Sequence, residues 1–451
     1  MNGARTCEVV VVGGGIAGLA AAWSLRDRDV LLLESSNRLG GRIRSERRGD
    51  YWLNFGAHVF GSPESASGRV LAALGVTAEP VPGRLAGVSL NGKAVTSGSV
   101  ETFPFRLPMS FGSRVSLVKA GVRLRFAVRK YAAIAAAREG EPPAERQRRM
   151  LEFLDDIPFT EFIGPLPEDV DVLFRSTLTR SSGEPEELSA GYGIGYFHLV
   201  WNRSQGLSRN ILGGSSAVIE ALAQHLSGRV RTGARATAVW RQEQGVGVRY
   251  IEGGREHEIR ARSAVVAAPA YAARGIIHDL PADTAAALEV IPYGPYVVGA
   301  VLTDEKTPMP WDVIYALATP KRSFSMLFNT ANVLRRPGEP RKPGGSLFVY
   351  AAAGFARRLA GLDDATVMGR FRADLEDLYP ELRDIIQEIV IQRWERGLPF
   401  PRPGRSRLQP ALTRSLAPIY LAGDYLGTWY TETAVQTAVD AAVAIRRQLE
   451  S

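Results

Sequence analysis

A chain of 451 residues, 45% hydrophobic and 23% charged, has the make-up of an ordinary folded globular protein and room for about three average domains. Its one cysteine, Cys7, excludes an internal disulfide and any metal site built on several cysteines. The net charge of +8 is spread along the chain without a block of like charge, so a basic solvated surface is expected and no nucleic-acid partner.

Residues 8–12, Glu-Val-Val-Val-Val, read as a buried parallel strand. A glycine turn, Gly13 to Gly18, leads into a helix over 16–26, and Val30-Leu31-Leu32-Leu33 is a second buried strand. Glycines break the run from Val9 to Leu25, and no basic segment precedes it. No secretory signal or spanning segment is read there, and a cytoplasmic location is expected. Helical patterns follow over 112–138 and 143–162. The first carries Arg114, Lys119, Arg123, Arg125, Arg129 and Lys130, a solvated face with membrane contact as the lesser alternative. Tyr192, Tyr196, Phe197 and Trp201 then fall on one face, read as core packing first and as a cavity wall second.

After Gly213-Gly214 a helix runs from Ser216 to Leu226. Strands are predicted at about 229–240, 246–251, 257–261 and 264–268, and strands of a separate sheet at 295–303 and 346–351. Arg336 to Gly345 reads as a surface loop. Residues 419–422 form a last buried strand before Gly423-Asp424 and a helix over about 432–449. Strand–helix–strand material at the start, middle and end predicts an α/β fold. In it, a discontinuous Rossmann-like dinucleotide-binding domain (1–78, 211–285 and 391–451) interleaves with an α+β substrate-binding domain (79–210 and 286–390).

Gly13-x-Gly15-x-x-Gly18 lies directly between strand and helix, the context that gives this motif meaning. Gly13 permits the tight turn, Gly15 lets a pyrophosphate approach, and Gly18 lets the helix pack on the strand. The helix N-terminus offers free N–H groups to phosphate. Glu34 ends the second strand sixteen positions after Gly18, where a carboxylate accepts from ribose hydroxyls and repels a 2′-phosphate.

Arg38-Leu39-Gly40-Gly41-Arg42 follows, and here the chain resembles the flavin-containing amine oxidase superfamily, which includes monoamine and polyamine oxidases, protoporphyrinogen oxidases and carotenoid desaturases. The resemblance implies FAD, with Gly41 and Arg42 on its pyrophosphate and Ile16, Ala17 and Ser35 among the residues that hold it. Asn54-Phe55-Gly56-Ala57-His58 resembles the segment beside the isoalloxazine ring. Ala236 resembles a backbone contact to adenine, and Trp394 and Pro399 the tryptophan–proline element leading to the flavin. Ala422-Gly423-Asp424 resembles the family's C-terminal acid motif. Thr431 to Val435, with Thr433 and Ala434, resembles the start of the last helix, whose N–H groups would stabilise the reduced ring.

The chain also departs from that family. Residues 394–410 hold no cysteine, so the FAD is expected to be non-covalent. The stretch 286–305 holds no lysine to face the flavin, and Lys306 is expected to be exposed. Tyr430 aligns with one wall of the family's aromatic cage, but Gly404-Arg405-Ser406 supplies no second wall. His58 and Glu64 are the candidates for acid–base work, with Tyr430 as a cavity wall; none of the five histidines has metal-ligand spacing, and no metal is expected.

The resemblance therefore implies hydride transfer from a substrate C–H bond, next to nitrogen, to FAD, with O2 as acceptor and hydrogen peroxide as product, in specialised biosynthesis. A carbon–carbon desaturase or isomerase, a protoporphyrinogen-oxidase-like activity and a flavin-free escort protein are the competing readings. A small-molecule substrate and a homo-oligomer are the expected partners.

Overall fold

A computed structural model describes residues 5–81, 87–201, 209–335, 338–428 and 430–450. The part of the predicted 336–345 loop at 336–337 lies outside them.

The glycine turn sits at the C-terminal end of an interior strand of a seven-stranded sheet. Its centre is Arg5–Val12, parallel to Val30–Leu33 on one side and to Arg255–Val266 on the other. Val9, Val11 and Leu32 face the helices Ile16–Ser24, Ser216–His225 and Tyr430–Glu450, while Val10, Val12, Leu31 and Leu33 face a second apolar layer. Both faces are covered, and for that reason these strands are apolar without alternation.

Arg255–Val266 is one continuous strand where two were predicted. Arg260 and Arg262 interrupt its apolar pattern, but both point to the exposed side. The strand forks: its first half pairs antiparallel with Gly245–Glu252, and its last three residues run parallel to Ile419–Leu421. The C-terminal segment thereby reaches the same end of the sheet as the glycine turn.

A second seven-stranded sheet is built around Tyr293–Thr303, which pairs antiparallel with Gly345–Ala352 and with the fourteen-residue strand Ile386–Pro399. By sheet membership residues 391–399 lie with this second sheet. Over it lie the helices Phe111–Ala135, Glu168–Leu178 and Ala190–Trp201, joined through Leu124, Tyr131, Phe159, Phe174 and Phe197. The predicted helix over 143–162 is two pieces, Pro143–Glu152 and Phe159–Ile163. Leu154 takes a left-handed φ of 45°, and Pro158 carries no N–H to continue a helix.

The apolar positions of Phe111–Ala135 are not all inward. Phe111, Val115, Val118, Val122 and Phe126 are exposed along one stripe. No helix among the described residues is long and apolar enough to cross a membrane.

The second sheet also buries a charge cluster. Glu305 is fully enclosed; it accepts from Trp311 Nε1 at 3.0 Å and Thr303 Oγ1 at 2.9 Å, and pairs with Arg335 at 2.7 Å and with Arg341.

Candidate active site

The glycine turn is closed on one side and open on the other. An ideal Cβ on Gly13 would stand 2.8 Å from the Ala267 carbonyl oxygen, and one on Gly18 would stand 1.8 Å from that of Gly13. A Cβ on Gly15 would meet nothing within 4 Å, so the outer face of the turn is free to receive a ligand group. Ile16 begins the helix there, with Ala17 buried behind it. Glu34 holds the turn to the end of the second strand. Its Oε2 accepts from Gly14 N at 2.6 Å, and its Oε1 from Ser36 N and Oγ, both at 2.8 Å, with Ser35 Oγ at 3.3 Å. The backbone N–H of Ala234 donates to Glu34 O at 2.8 Å, which sets Ala236, two residues on, near the same edge.

From this turn a chain of contacts leads across the molecule. Gly40 N donates to Gly14 O at 2.8 Å, and Gly41 lies against Gly15. Arg42 comes next. Its guanidinium spans both carboxylate oxygens of Asp424, at 2.8 and 3.0 Å, and donates to Gly397 O at 2.9 Å. One side chain thus ties residues 42, 397 and 424 together. Ala57 N donates to Arg42 O at 3.1 Å, and a Cβ on Gly56 would overlap that oxygen at 2.0 Å. Trp394 Nε1 donates to Phe55 O at 2.6 Å. Gly423 N donates to Thr437 Oγ1 at 3.0 Å, one turn beyond the buried Thr433 and Ala434.

Beyond Arg42 the lining turns aromatic. His58 sits among the rings of Phe348, Phe328 and Tyr315, with centroids 4.7, 5.2 and 6.3 Å away. Its Nδ1 lies 3.2 Å from Gly56 O; a carbonyl only accepts, so Nδ1 carries the proton and Nε2 keeps its lone pair. That Nε2 is enclosed and meets no acceptor or donor. Burial, with the nearby Arg180 charge, pushes the imidazole down to about 4, so it is neutral near pH 7.

Tyr430 lies against the helical layer with its hydroxyl 2.8 Å from that of Tyr192, and burial holds its phenol well above the usual range. A narrow crevice lined by Asp424, Tyr425, Gly427 and Tyr430 brings this tyrosine beside the acid motif. Glu64 is not brought to His58. It is exposed in the turn ahead of the helix Ala66–Ala73, where its backbone carbonyl accepts from Arg69. Lys306 is 75% exposed and pairs with Asp304.

The profile of the flavin-containing amine oxidoreductase family matches residues 16–446. The chain belongs to that family. FAD is its cofactor. A stretch of 115 residues is 32% identical to coproporphyrinogen III oxidase of Propionibacterium freudenreichii subsp. freudenreichii, covering 25% of this chain and 21% of that one. Over 51 residues the chain is 48% identical to the L-amino acid oxidase Cdc18 of Crotalus durissus cumanensis, covering 11% and 10% of the two chains. Over the curated relatives it matches, the similarity therefore spans about a fifth of their length or less. The fold is shared throughout with cyclohexylamine oxidase from Brevibacterium oxydans IH-35A (TM-score 0.76, 18% identity, 99% of this chain and 100% of that one). Putrescine oxidase bound to putrescine is equally similar (TM-score 0.76, 18% identity, 98% and 100%).

The residues of this flavin-containing amine oxidoreductase suit such a cofactor. The open face at Gly15, the helix N-terminus behind it, and a cation and a carboxylate at Arg42 and Asp424 match the donors and acceptors that a pyrophosphate and a ribityl chain require. Glu34→Ala removes the clasp on Gly14 N and, with it, the carboxylate expected from the sequence to accept from the ribose. Its flavin is expected to dialyse away from the purified protein; retention of full occupancy would separate Glu34 from cofactor binding.

Three features escaped the sequence reading. The Arg42–Asp424 pair joins residues 382 positions apart, so no local pattern announces it. Glu432 does not face the site: its carboxylate caps the helix Ala66–Ala73, accepting from Ser67 N at 3.1 Å and Ser67 Oγ at 2.7 Å. Arg180, a lone basic residue at a helix end, reaches the aromatic recess and carries no sequence signal at all.

Proposed function

We propose that the protein oxidises a small amine, using FAD held along Gly13–Gly18, Glu34, Gly41–Arg42, Gly56–His58, Trp394 and Gly423–Ala434. The observation that carries this reading is the convergence of the Arg42–Asp424 pair, the glycine turn and the aromatic recess on one connected surface. FAD, when bound, supplies the two-electron acceptor for a C–H bond next to nitrogen, so that an amine becomes an imine.

The chain's own residues bind, orient and exclude water. The rings of Tyr192, Tyr296, Tyr350, Phe328 and Phe348 make the recess apolar. Burial raises the tyrosine phenols, and His58 is a weak base with an enclosed lone pair, so none of these groups takes a proton near neutral pH. The amine must therefore give up its ammonium proton to solvent before it is oxidised, and the rate should rise with pH toward the pKa of the amine. O2 is the acceptor we assign, with hydrogen peroxide as product, in a biosynthetic role.

The test is anaerobic addition of a panel of primary and secondary amines to the yellow protein. Bleaching of the flavin, followed by peroxide on readmission of air, is expected. Bleaching without peroxide would point to another acceptor, and no bleaching by any amine would overturn amine oxidation.

Attachment is proposed to be non-covalent. The single thiol, Cys7, lies on the first strand, and burial pushes it up to about 12, which leaves it unreactive. Denaturation is expected to release all the yellow colour into the supernatant; colour precipitating with the chain would refute it.

A further inference from the structure

Next to the aromatic recess lies a cavity of about 260 Å³ between Phe111–Ala135, Glu168–Leu178, Ala190–Trp201 and the second sheet. Its walls are apolar, with Leu173, Phe174, Phe197, Trp201 and Met326 prominent among them. Two of its charged lining residues, Glu101 and Arg125, pair with each other. The third is Arg180. Its guanidinium carbon lies 5.6 Å from the Tyr196 ring centroid and 5.4 Å from that of Phe328. Phe328 in turn packs on His58 with centroids 5.2 Å apart, so Arg180 stands one ring away from the recess assigned to the reacting group.

No carboxylate among the described residues forms an ion pair with Arg180, and its Nε is enclosed without an acceptor. Its neighbours Tyr196, Tyr350 and Tyr430 are neutral phenols, and His58 is a neutral imidazole. Arginine stays charged in proteins; Arg180 is half-buried on the cavity wall with the Tyr196 and Tyr350 phenols beside it, and its charge has no counter-ion among the described residues. Among the described residues Arg405 is also buried without an ion pair and donates to the Tyr425 carbonyl, whereas Arg42, Arg335 and Arg341 each have a carboxylate. The planar guanidinium is shaped to take a carboxylate through two parallel hydrogen bonds.

We infer that the substrate brings the missing counter-ion: an amine that also carries a carboxylate, which Arg180 holds, with an apolar body occupying the adjoining cavity. The inference rests on the amine-oxidation reading for the identity of the reacting group. A diamine, positively charged at both ends, would be repelled by the same guanidinium.

The anion site is testable without turnover. 3-Phenylpropionate and its neutral isostere 3-phenylpropanamide are titrated into the oxidised holoenzyme, followed by calorimetry and by the change in flavin absorbance. The carboxylate is expected to bind about 30-fold or more tightly than the amide, and Arg180→Met to erase that preference while Arg180→Lys keeps part of it. Equal binding of acid and amide by the unaltered protein, or an acid preference that survives Arg180→Met, would overturn the proposal. So would the absence of any heat from the acid up to about 10 mM. 2-Phenylethylphosphonate is the third ligand; if it outcompetes the carboxylate tenfold, the site is one for phosphate-like groups and the carboxylate assignment falls. A preference for the acid together with failure of every amine to bleach the flavin would retain the anion site and reject amine oxidation.

Discussion

Gly18→Ala is expected to yield a colourless and less stable protein. The added methyl carbon would stand 1.8 Å from Gly13 O and 3.3 Å from the Ala267 Cβ. Neither neighbour has room to retreat. Gly13 donates its N–H to Leu33 O at 2.8 Å, and Ala267 donates to Val12 O at 2.8 Å, so both belong to the central strands. The helix Ile16–Ser24 must move instead, and with it go its N-terminal N–H groups, proposed to hold the phosphates, and the packing of Ala20 and Ala21 in the core. Overpacking of this kind costs about 1–3 kcal/mol or more. Gly15→Ala is the control: its methyl meets nothing in the protein, so it should lose flavin while melting at the temperature of the unaltered flavin-free protein. The ratio of flavin to protein absorbance, and thermal unfolding followed by circular dichroism, separate the two. Full flavin content and an unchanged melting temperature in Gly18→Ala would contradict the close approach of helix and strand.

Glu305→Ala is expected to be the most destabilising substitution outside the cofactor site. Glu305 is fully buried and its carboxylate serves Arg335, Arg341, Trp311 and Thr303 at once. Its loss leaves both arginines with Asp312 alone, and breaking a buried pair on one side typically costs about 3–5 kcal/mol. Urea unfolding should show a lower midpoint. Because the cluster lies in the second sheet, flavin content in the absence of urea should be retained. A midpoint equal to that of the unaltered chain would mean that Asp312 alone satisfies the two cations.

Much of the first sheet was legible because its determinants are local. A continuous apolar run, a glycine turn and an acidic strand end succeed one another within 34 residues, and each answers a steric or electrostatic requirement of its immediate neighbours. The Ala422-Gly423-Asp424 segment was legible for the same reason. The second sheet was legible only in part. Ile386–Pro399 carries charges at Glu388, Arg393, Glu395 and Arg396 that obscure its pattern, and its pairing with Tyr293–Thr303 makes it a strand. Glu64 is six residues from His58 in sequence, but it lies in the exposed turn ahead of the helix Ala66–Ala73, as a surface-loop acid would, while His58 packs among buried rings.

What the amino-acid order determined by itself is the dinucleotide turn, because glycine at 13, 15 and 18 and a carboxylate at 34 act on backbone that is adjacent whatever the rest of the chain does. What only the tertiary structure decided is the electrostatics of the recess. Arg42 meets Asp424, and Arg180 meets no carboxylate, through pairings between distant segments. The charge that a buried group can tolerate depends on which groups surround it in space, and that environment is set by packing.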